Sequence, residues 1–320
     1  MTRYVFSPHL GGWGHKVRSD TIATAIARRD PHAEITMLVR TDDPMPPELW
    51  TGFPYARTKI SRSRAIIATD VFVQDGAWKY DRRVHALQLH GGRYIAVGQP
   101  YRIDMPPKAA HAVLSAAEKV IVPWPKLLFE LDGILEDYRG RLANVEPILN
   151  IDGGRAAPDS EGGLVYLAIS RGSTRVLECV RAGIAQAANR REDIRVAGGV
   201  GRFLPKAEHE RLFGASKLVI SQAPTAVFEA MGIGIPVIML PMAGNEEHER
   251  LARDMRAHQA GIAIFDHELT TESVASAAES LLFDEDRRER AVGNERRLVP
   301  RSGLDEVVKL VMNGRRGRVA

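Results

Sequence analysis

The sequence is poor in cysteine and lacks long hydrophobic runs. Cys179 is its single cysteine, so an internal disulfide is impossible and a structural thiol on a helix face is expected. No apolar stretch approaches the roughly 18 residues of a membrane span. The opening residues, MTRYVFSPHLGG, lack the charged and apolar regions of a signal peptide. These absences favour a cytoplasmic protein with at most peripheral membrane contact.

The chain also lacks CxxC, HExxH and a well-placed aspartate pair, so no metal is expected. Its basic residues are dispersed and no recognition motif accompanies them, which argues against a nucleic-acid partner. Charge is nevertheless uneven, because residues 1–150 hold 20 Lys and Arg against 16 Asp and Glu, whereas residues 151–320 hold 24 of each. All four tryptophans also lie in the first half. That half suits an anionic, flat or lipidic acceptor, although simple core filling explains any one aromatic equally well.

Short apolar runs alternate with helical patterns along the whole chain, which predicts parallel sheets covered by helices. In the first half, strands are predicted at residues 3–8, 34–39, 65–68, 71–73, 93–97 and 119–122, the last being the final strand expected there. The length indicates two domains, residues 1–150 and 151–320, joined by a linker rich in Gly, Asp and Ser. The predicted fold class is α/β, with two doubly wound Rossmann-like domains facing across a cleft. The C-terminal helix is a candidate to pack back on the first domain.

One stretch, residues 216–263, organises the second domain. It reads as a buried strand, a loop, a helix ending near Gly234, and a second buried strand. The loop Gln222–Ala226 offers free backbone N–H groups and the positive end of a helix dipole, which together favour an anion. Glu229 follows about one turn later, where its carboxylate can reach vicinal hydroxyls beside the anion. The alternative is an ordinary strand–helix–strand unit in which Glu229 is merely solvated.

A glycine-rich turn follows the first strand: Gly11-Gly12-Trp13-Gly14-His15. Three glycines let the backbone turn tightly and approach a ligand closely. His15 stands at or near a helix start, where the dipole favours the neutral imidazole. Neutral imidazole accepts a proton, so His15 is a candidate general base, with helix capping as the alternative.

These two segments resemble the GT-B glycosyltransferases, in particular the branch of the lipid II-forming N-acetylglucosaminyltransferase. The second-domain segment matches that branch's E-A-x-x-x-G-x-P-x-x-x-x-P pattern through Glu229, Ala230, Gly234, Pro236 and Pro241. Glu247-His248-x-x-Leu251-Ala252 corresponds to its D/E-Q-x-x-N-A pattern, and Gly261 lies at the expected distance. The first-domain turn matches its G-G-x-G-H motif. Three residues depart from the family pattern: Ala223 replaces glycine, Ala226 replaces serine or threonine, and His248 replaces glutamine.

The resemblance implies a role for each matching residue. Glu229 is expected to hold the nucleotide ribose, and Glu247 with His248 the donor sugar. His15 is the expected base, and Gly14 is expected to border the donor diphosphate. The remaining candidates belong to the nucleotide: Phe203 and Leu204 for the base, and Gln222, Ala223, Pro224, Thr225 and Ala226 for the pyrophosphate. Arg171, in another strand-to-helix loop, can reach a phosphate, although an exposed loop arginine is the commoner case.

The resulting function is metal-independent, inverting transfer of a sugar from a nucleotide-diphosphate donor, with UDP as the expected nucleotide. The acceptor is expected to be a hydroxyl or amine on a small or lipid-linked molecule. No cofactor is expected beyond the nucleotide-sugar substrate itself. Two alternatives remain open: a nucleotide-sugar hydrolase or epimerase of the same fold, and a non-catalytic nucleotide-sugar-binding partner.

Overall fold

The computed structural model describes residues 1–9, 13–39, 55–57, 66–76, 83–98, 107–130, 133–151, 163–169, 174–188, 194–198, 204 and 206–313. The chain divides into two compact units. The first comprises Met1–Asn150 with Gly303–Ala320, and the second comprises Ile151–Ser302.

The described strands of the first unit form one parallel sheet: β1 (Arg3–Pro8), β2 (Glu34–Val39), β3 (Tyr55–Arg57), β4 (Val71–Asp75), β5 (Arg93–Val97), β6 (Lys119–Pro123) and β7 (Leu142–Val145). Their order is β3-β2-β1-β4-β5-β6-β7, so the direction of winding reverses between β1 and β4. The register of these two strands places Pro8 beside Asp75. Ligands of doubly wound sheets bind at the carboxyl ends of the strands at such a reversal.

Helices pack on this sheet: α1 (Trp13–Arg29), α2 (Arg83–Leu89) and α3 (Pro107–Ala116). Apolar residues of α1 recur every three or four positions, and Ile22 and Ile26 are fully buried against the sheet. The helix at Leu304–Met312, α10, returns from the far end of the chain to the same core. Val307, Val308 and Val311 of α10 are fully buried there. The core of the first unit is therefore completed by the last described helix of the chain.

The second unit has a parallel sheet of β8 (Gly163–Ala168), β9 (Ile194–Gly198), β10 (Leu218–Ser221), β11 (Val237–Met239) and β12 (Ile262–Ala263). The order β12-β11-β10-β8-β9 reverses between β8 and β10. Its helices are α4 (Thr174–Ala188), α5 (Lys206–Gly214), α6 (Pro224–Ile233), α7 (Glu246–Ala257), α8 (Thr271–Leu282) and α9 (Glu285–Leu298). Val165 and Leu167 of β8 join the core formed with α4 and α8, whereas the Tyr166 ring contacts Phe213 of α5. Alternation along the strand thus supplies both faces of the sheet.

The predicted fold class is confirmed, but several local predictions are wrong. Residues 66–68 form a helical turn and not a strand. Only Ile66 of the three is buried, so this segment lacks the run of buried apolar side chains that an inner strand needs. The first sheet does not end at the strand of residues 119–123, since β7 pairs beside it. Only Val145 of β7 is fully buried, so this edge strand lacks the apolar run that would have revealed it. Helices α3 and α5 were also not predicted.

Two negative findings hold for the described part of the chain. None of its helices is long and apolar enough to cross a membrane. No three of its His, Cys, Asp or Glu side chains converge in a way that would hold a metal ion.

Candidate functional site

The loop between β10 and α6 lies at the reversal point of the second sheet. Gln222 N–H donates to the Ala168 carbonyl at the end of β8 (3.1 Å), and Ala223 N–H donates to Ser221 Oγ (2.9 Å). Pro224 opens α6 and has no N–H. Several free N–H groups were predicted between residues 222 and 226, but those of Gln222 and Ala223 are bonded within the protein. The N-cap Ala223 provides no side-chain acceptor, so the N–H groups of Thr225 and Ala226, in the first turn of α6, are the ones available to a ligand.

Glu229 lies one turn further along α6 and is 3% exposed. The alternative of a solvated carboxylate is therefore wrong. Its Oε2 lies 3.9 Å from His209 Nε2, whereas its buried Oε1 has no hydrogen-bond partner within the described structure. A buried carboxylate oxygen without a donor is costly, and it is the kind of atom that a ligand hydroxyl satisfies.

Glu247 and His248 form part of the first turn of α7, whose N-cap is Asn245. Each is 9% exposed, so the alternative of a solvated acidic helix start does not hold for them. His248 N–H donates to Asn245 Oδ1 (3.3 Å), but the ring Nδ1 is buried and unpaired among the described residues. Burial lowers the pKa of His248 to about 4, so its imidazole is neutral at physiological pH. A neutral ring can hydrogen-bond a hydroxyl through that nitrogen.

An open cavity adjoins the loop at the carboxyl edge of the second sheet. Gln222 and Asp266 supply its polar groups, and the remaining lining residues are mostly apolar: Val176, Leu240, Pro241, Met242, Ala243, Ile264 and Leu269. The start of α6 and a largely apolar recess thus lie next to each other at the carboxyl edge of the second sheet.

In the first unit, His15 lies in the first turn of α1, beside the carboxyl end of β4. His15 Nδ1 is 2.9 Å from Asp75 Oδ1, and Asp75 is fully buried. Arg18, one turn after His15, donates from Nε to Asp75 Oδ2 (2.9 Å) and from Nη2 to Oδ1. Ser19 Oγ also donates to Oδ2 (3.3 Å). Asp75 thus anchors the start of α1 to the strand beside β1.

The charge state of Asp75 follows from these contacts. Burial alone would raise its pKa, but the Arg18 charge and the hydrogen bonds from Arg18 and His15 lower it to about 2. Asp75 is therefore an anion throughout the physiological range. His15 Nδ1 faces both Asp75 Oδ1 and Arg18 Nη2, each at 2.9 Å, and the two contacts require opposite ring tautomers. In the tautomer with a proton on Nδ1, His15 donates to Asp75 and keeps a lone pair on Nε2. The His15 side chain is 15% exposed, so the ring remains accessible.

Gly76 explains how the ring fits so closely. This residue has φ of +79°, and a Cβ there would collide with the His15 imidazole. Glycine is therefore required at this position for both the backbone conformation and the close approach.

Asp75, Arg18 and His209 were missed at the sequence level. Asp75 is the last residue of a buried strand, at the carboxyl end from which α/β sites are built, and this is the signal that was available. Its pairing with His15 depends on β1 and β4 being neighbours, which the sequence does not state. His209 gave no signal, since it lies on a helix that was not predicted.

Two of the predicted site residues, Arg171 and Phe203, fall outside the described residues, as do Gly11 and Gly12 of the first turn. Leu204 is half-buried and belongs to neither a helix nor a strand. Their roles stay predictions. Gly14 is the second residue of α1, directly before His15.

Comparison with known proteins bears on these two sites. Residues 216–295 match the model of a family described as UDP-glucoronosyl and UDP-glucosyl transferase. A segment of 102 residues is 31% identical to the UDP-N-acetylglucosamine–N-acetylmuramyl-(pentapeptide) pyrophosphoryl-undecaprenol N-acetylglucosamine transferase of Nocardioides sp. (strain ATCC BAA-499 / JS614). That segment is 31% of this chain and 28% of the relative, so most of the relative has no counterpart in the alignment.

Solved structures match over nearly the whole chain at low identity. Acinetobacter baumannii MurG is 14% identical, with 97% of this chain and 99% of that chain covered and a TM-score of 0.63. The spinosyn rhamnosyltransferase SpnG, complexed with thymidine diphosphate, is 15% identical, with 98% and 100% covered and a TM-score of 0.64. The fold and the resemblance inferred from the sequence are thereby confirmed: the chain has the GT-B glycosyltransferase fold, and it resembles the lipid II-forming N-acetylglucosaminyltransferases.

Proposed function

We propose that the chain is a glycosyltransferase that takes its sugar from a nucleoside-diphosphate donor. The observation that carries this proposal is the buried, unpaired Oε1 of Glu229, one turn after a helix start with two N–H groups available to a ligand. The carboxylate suits a ribose hydroxyl, and the helix start suits a diphosphate. Both features lie in the segment that matches the UDP-sugar transferase family.

The diphosphate is also the leaving group of the reaction. As the bond between the anomeric carbon and the diphosphate oxygen breaks, negative charge develops on that oxygen. The α6 dipole and the N–H groups of Thr225 and Ala226 favour this charge. In this proposal they do so without a metal ion.

His15 is the proposed general base. With Nδ1–H donating to Asp75, Nε2 removes the proton from an acceptor hydroxyl or amine as that group attacks the anomeric carbon. Asp75 remains anionic and stabilises the imidazolium that forms, while Arg18 fixes the carboxylate in place. Direct displacement by the acceptor inverts the configuration at the anomeric carbon.

We infer the donor and the acceptor by analogy with the relatives. The Nocardioides relative is named for UDP-N-acetylglucosamine and for a lipid-linked pyrophosphoryl acceptor. We accordingly propose a UDP-sugar as the first donor to test, with a small or lipid-linked acceptor. Glu247 and the neutral imidazole of His248 are proposed to contact the sugar hydroxyls.

A binding experiment tests the donor assignment. Thermal shift and calorimetry with UDP, dTDP, GDP, ADP and CDP identify the tightest ligand. Glu229→Ala is then expected to weaken its binding by about 1.5–3 kcal/mol, the value of a lost hydrogen bond to a charged group. Glu272→Ala, an exposed acid in the first turn of α8, is the matched control and should bind like the wild type. Equal affinity of the Glu229 variant and the wild type would rule out the ribose assignment.

Turnover separates transfer from hydrolysis and from binding alone. A transferase releases little sugar from its donor until an acceptor is added, because the chemistry needs the acceptor's nucleophile. Full release in buffer alone would indicate a hydrolase, and no turnover with any acceptor would indicate a binding protein.

A further inference from the structure

A pair of side chains lies beside the Glu229 carboxylate. His209 of α5 faces Glu229 Oε2 with its Nε2 at 3.9 Å, and its Nδ1 lies 2.7 Å from the Tyr166 hydroxyl of β8. The three residues therefore form a line from the middle of the sheet to the carboxylate. We call them the Tyr166–His209–Glu229 chain.

The His209 ring is held in one orientation. Its centroid lies 5.4 Å from that of Tyr166 and 5.3 Å from that of Phe213, and the Tyr166 and Phe213 rings contact each other at 5.1 Å. Such packing leaves an imidazole little freedom to turn. The two ring nitrogens thus point in fixed directions, one toward a hydroxyl and the other toward a carboxylate.

The hydroxyl determines which nitrogen carries the proton. Burial, and then the negative charges of Glu229 and Glu208, raise the pKa of Tyr166 above its usual value, so its O–H stays protonated. When this O–H donates to His209 Nδ1, the neutral ring carries its proton on Nε2, facing Glu229 Oε2. At 3.9 Å the contact is an electrostatic one, longer than a hydrogen bond. It attracts Oε2 and leaves Oε1 as the atom without a partner.

We propose that His209 is a positioning residue of the nucleotide site, holding Glu229 through Oε2 so that Oε1 is presented to a ribose hydroxyl. The inference rests on the proposed function, and it adds a residue outside the matched loop and helix α6. It also predicts that Glu229 binds the nucleotide through one of its carboxylate oxygens, Oε1, and not through both.

Substitutions at position 209 separate the ring from its N–H. His209→Phe keeps an aromatic ring against Tyr166 and Phe213 but has no N–H for Glu229. His209→Gln places an amide nitrogen close to the position of Nε2 and restores a donor. His258→Phe, at an exposed histidine of the same unit, is the control for the histidine-to-phenylalanine change.

The measurement is the affinity of the full chain, determined by calorimetry, for whichever of UDP, dTDP, GDP, ADP and CDP binds most tightly. His209→Phe should weaken binding by about 3–20-fold, within the coupling range of contacting residues, and His209→Gln should recover most of it. The double variant His209→Phe with Glu229→Gln should bind no more weakly than Glu229→Gln alone. That non-additivity is the readout which a merely structural role of His209 would not produce.

Each outcome decides a separate point. Wild-type affinity in His209→Phe, with a loss in Glu229→Gln, overturns this inference and leaves the proposed function standing. Full additivity of the two losses overturns it as well. Absence of binding by wild-type protein for all five diphosphates overturns the proposed function, and this inference with it. If His209→Phe does not fold, Tyr166→Phe removes only the hydroxyl and completes the same cycle with Glu229→Gln.

Discussion

At the scale of single residues, Asp75 governs the state of the proposed base. A carboxylate that is fully buried is normally costly, but Arg18 and Ser19 donate to it, and His15 Nδ1 lies 2.9 Å from it. The Arg18 guanidinium supplies the compensating charge, which holds the pKa of Asp75 near 2. His15 therefore has an anionic partner in a fixed position. We propose that Asp75 selects the ring tautomer with Nε2 unprotonated, in competition with the Arg18 Nη2 contact at 2.9 Å, which favours the opposite tautomer.

Substitution of His15 and Asp75 tests this arrangement. His15→Ala should lower turnover by about 10²–10⁴-fold with little change in nucleotide affinity, since a general base contributes this much to rate. In Asp75→Asn the amide can donate to Nδ1 and stabilise the opposite tautomer, so its turnover should fall to within about tenfold of His15→Ala. Steady-state rates together with calorimetric affinity for the donor nucleotide provide the measurement.

His32→Ala, at an exposed histidine of the same unit, is the control. Wild-type turnover in His15→Ala would mean that the base is another group. A normal rate in Asp75→Asn would mean that the tautomer is set by something other than Asp75.

At the scale of elements, helix α9 contributes an unusual buried acid. Glu295 is fully buried, and its Oε1 accepts a hydrogen bond from Val237 N–H at the start of β11 (3.0 Å). Gly261 leaves room for this carboxyl, because a Cβ there would lie 2.9 Å from Oε1. Burial raises the pKa of Glu295 to about 8 against the opposing effects of Val237 N–H and Arg296. The acid is thus mostly protonated at neutral pH and joins α9 to β11.

The contribution of Glu295 to the stability of the second unit should therefore fall as pH rises. His248 acts in the opposite direction below pH 6.5, because its lowered pKa makes the folded state more stable as pH rises to that value. Between the unfolded value of 4.5 and about 8, the folded state keeps a proton on Glu295 that the unfolded state gives up. This contribution to the free energy of unfolding then decreases with pH by up to about 1.4 kcal/mol per pH unit in this window. Below the window the contribution is complete, and above it the contribution is lost. Urea unfolding followed by far-UV circular dichroism at pH 5, 6.5 and 8 measures the slope.

Glu295→Gln should remove this part of the pH dependence and exceed the wild type in stability at pH 8. The amide stays neutral and its oxygen can still accept from Val237 N–H. Glu289→Gln, exposed on the same helix, should leave the slope unchanged. An unaltered slope in Glu295→Gln would show that Glu295 is not the titrating group.

At the scale of the whole molecule, the chain passes back into the first unit after it has formed the second. After the second unit, Gly303 N–H donates to the Pro147 carbonyl (3.0 Å), and α10 then packs on α1. Arg93 fixes the far end of α10 by donating from Nη1 to the Val311 carbonyl (2.7 Å). The stability of the first unit thus depends on residues that follow the second unit in sequence.

Gly303→Ala should destabilise the first unit selectively. A Cβ at this position would collide with the Glu146 carbonyl, and overpacking of this kind costs about 1–3 kcal/mol. All four tryptophans lie in residues 1–150, so their fluorescence during urea unfolding reports on this unit. Gly140→Ala, where a Cβ would meet nothing, is the control in the same unit. An unchanged tryptophan transition in Gly303→Ala would show that the segment relaxes without loss.

Much of the fold could be predicted from the sequence, because its signals are local. Apolar runs such as Arg93–Val97 and Glu34–Val39 are long enough to define buried strands, and both have the predicted bounds. Short edge elements such as Leu142–Val145 were missed, since an edge strand needs few apolar residues. In the candidate site, the sequence predicted Glu229 and His15 because each follows a strand-to-helix turn with a recognisable pattern.

The sequence by itself determined where the chain turns from strand to helix and which polar residues stand at those turns. Only the tertiary structure decided which turns meet. Asp75 and His15 are 60 residues apart in sequence, and they meet because β4 lies beside β1 in the sheet. His209 reaches Glu229 because α5 and α6 cover the same face of the second sheet. The strand order is fixed by the packing of all strands together, and no local pattern specifies it.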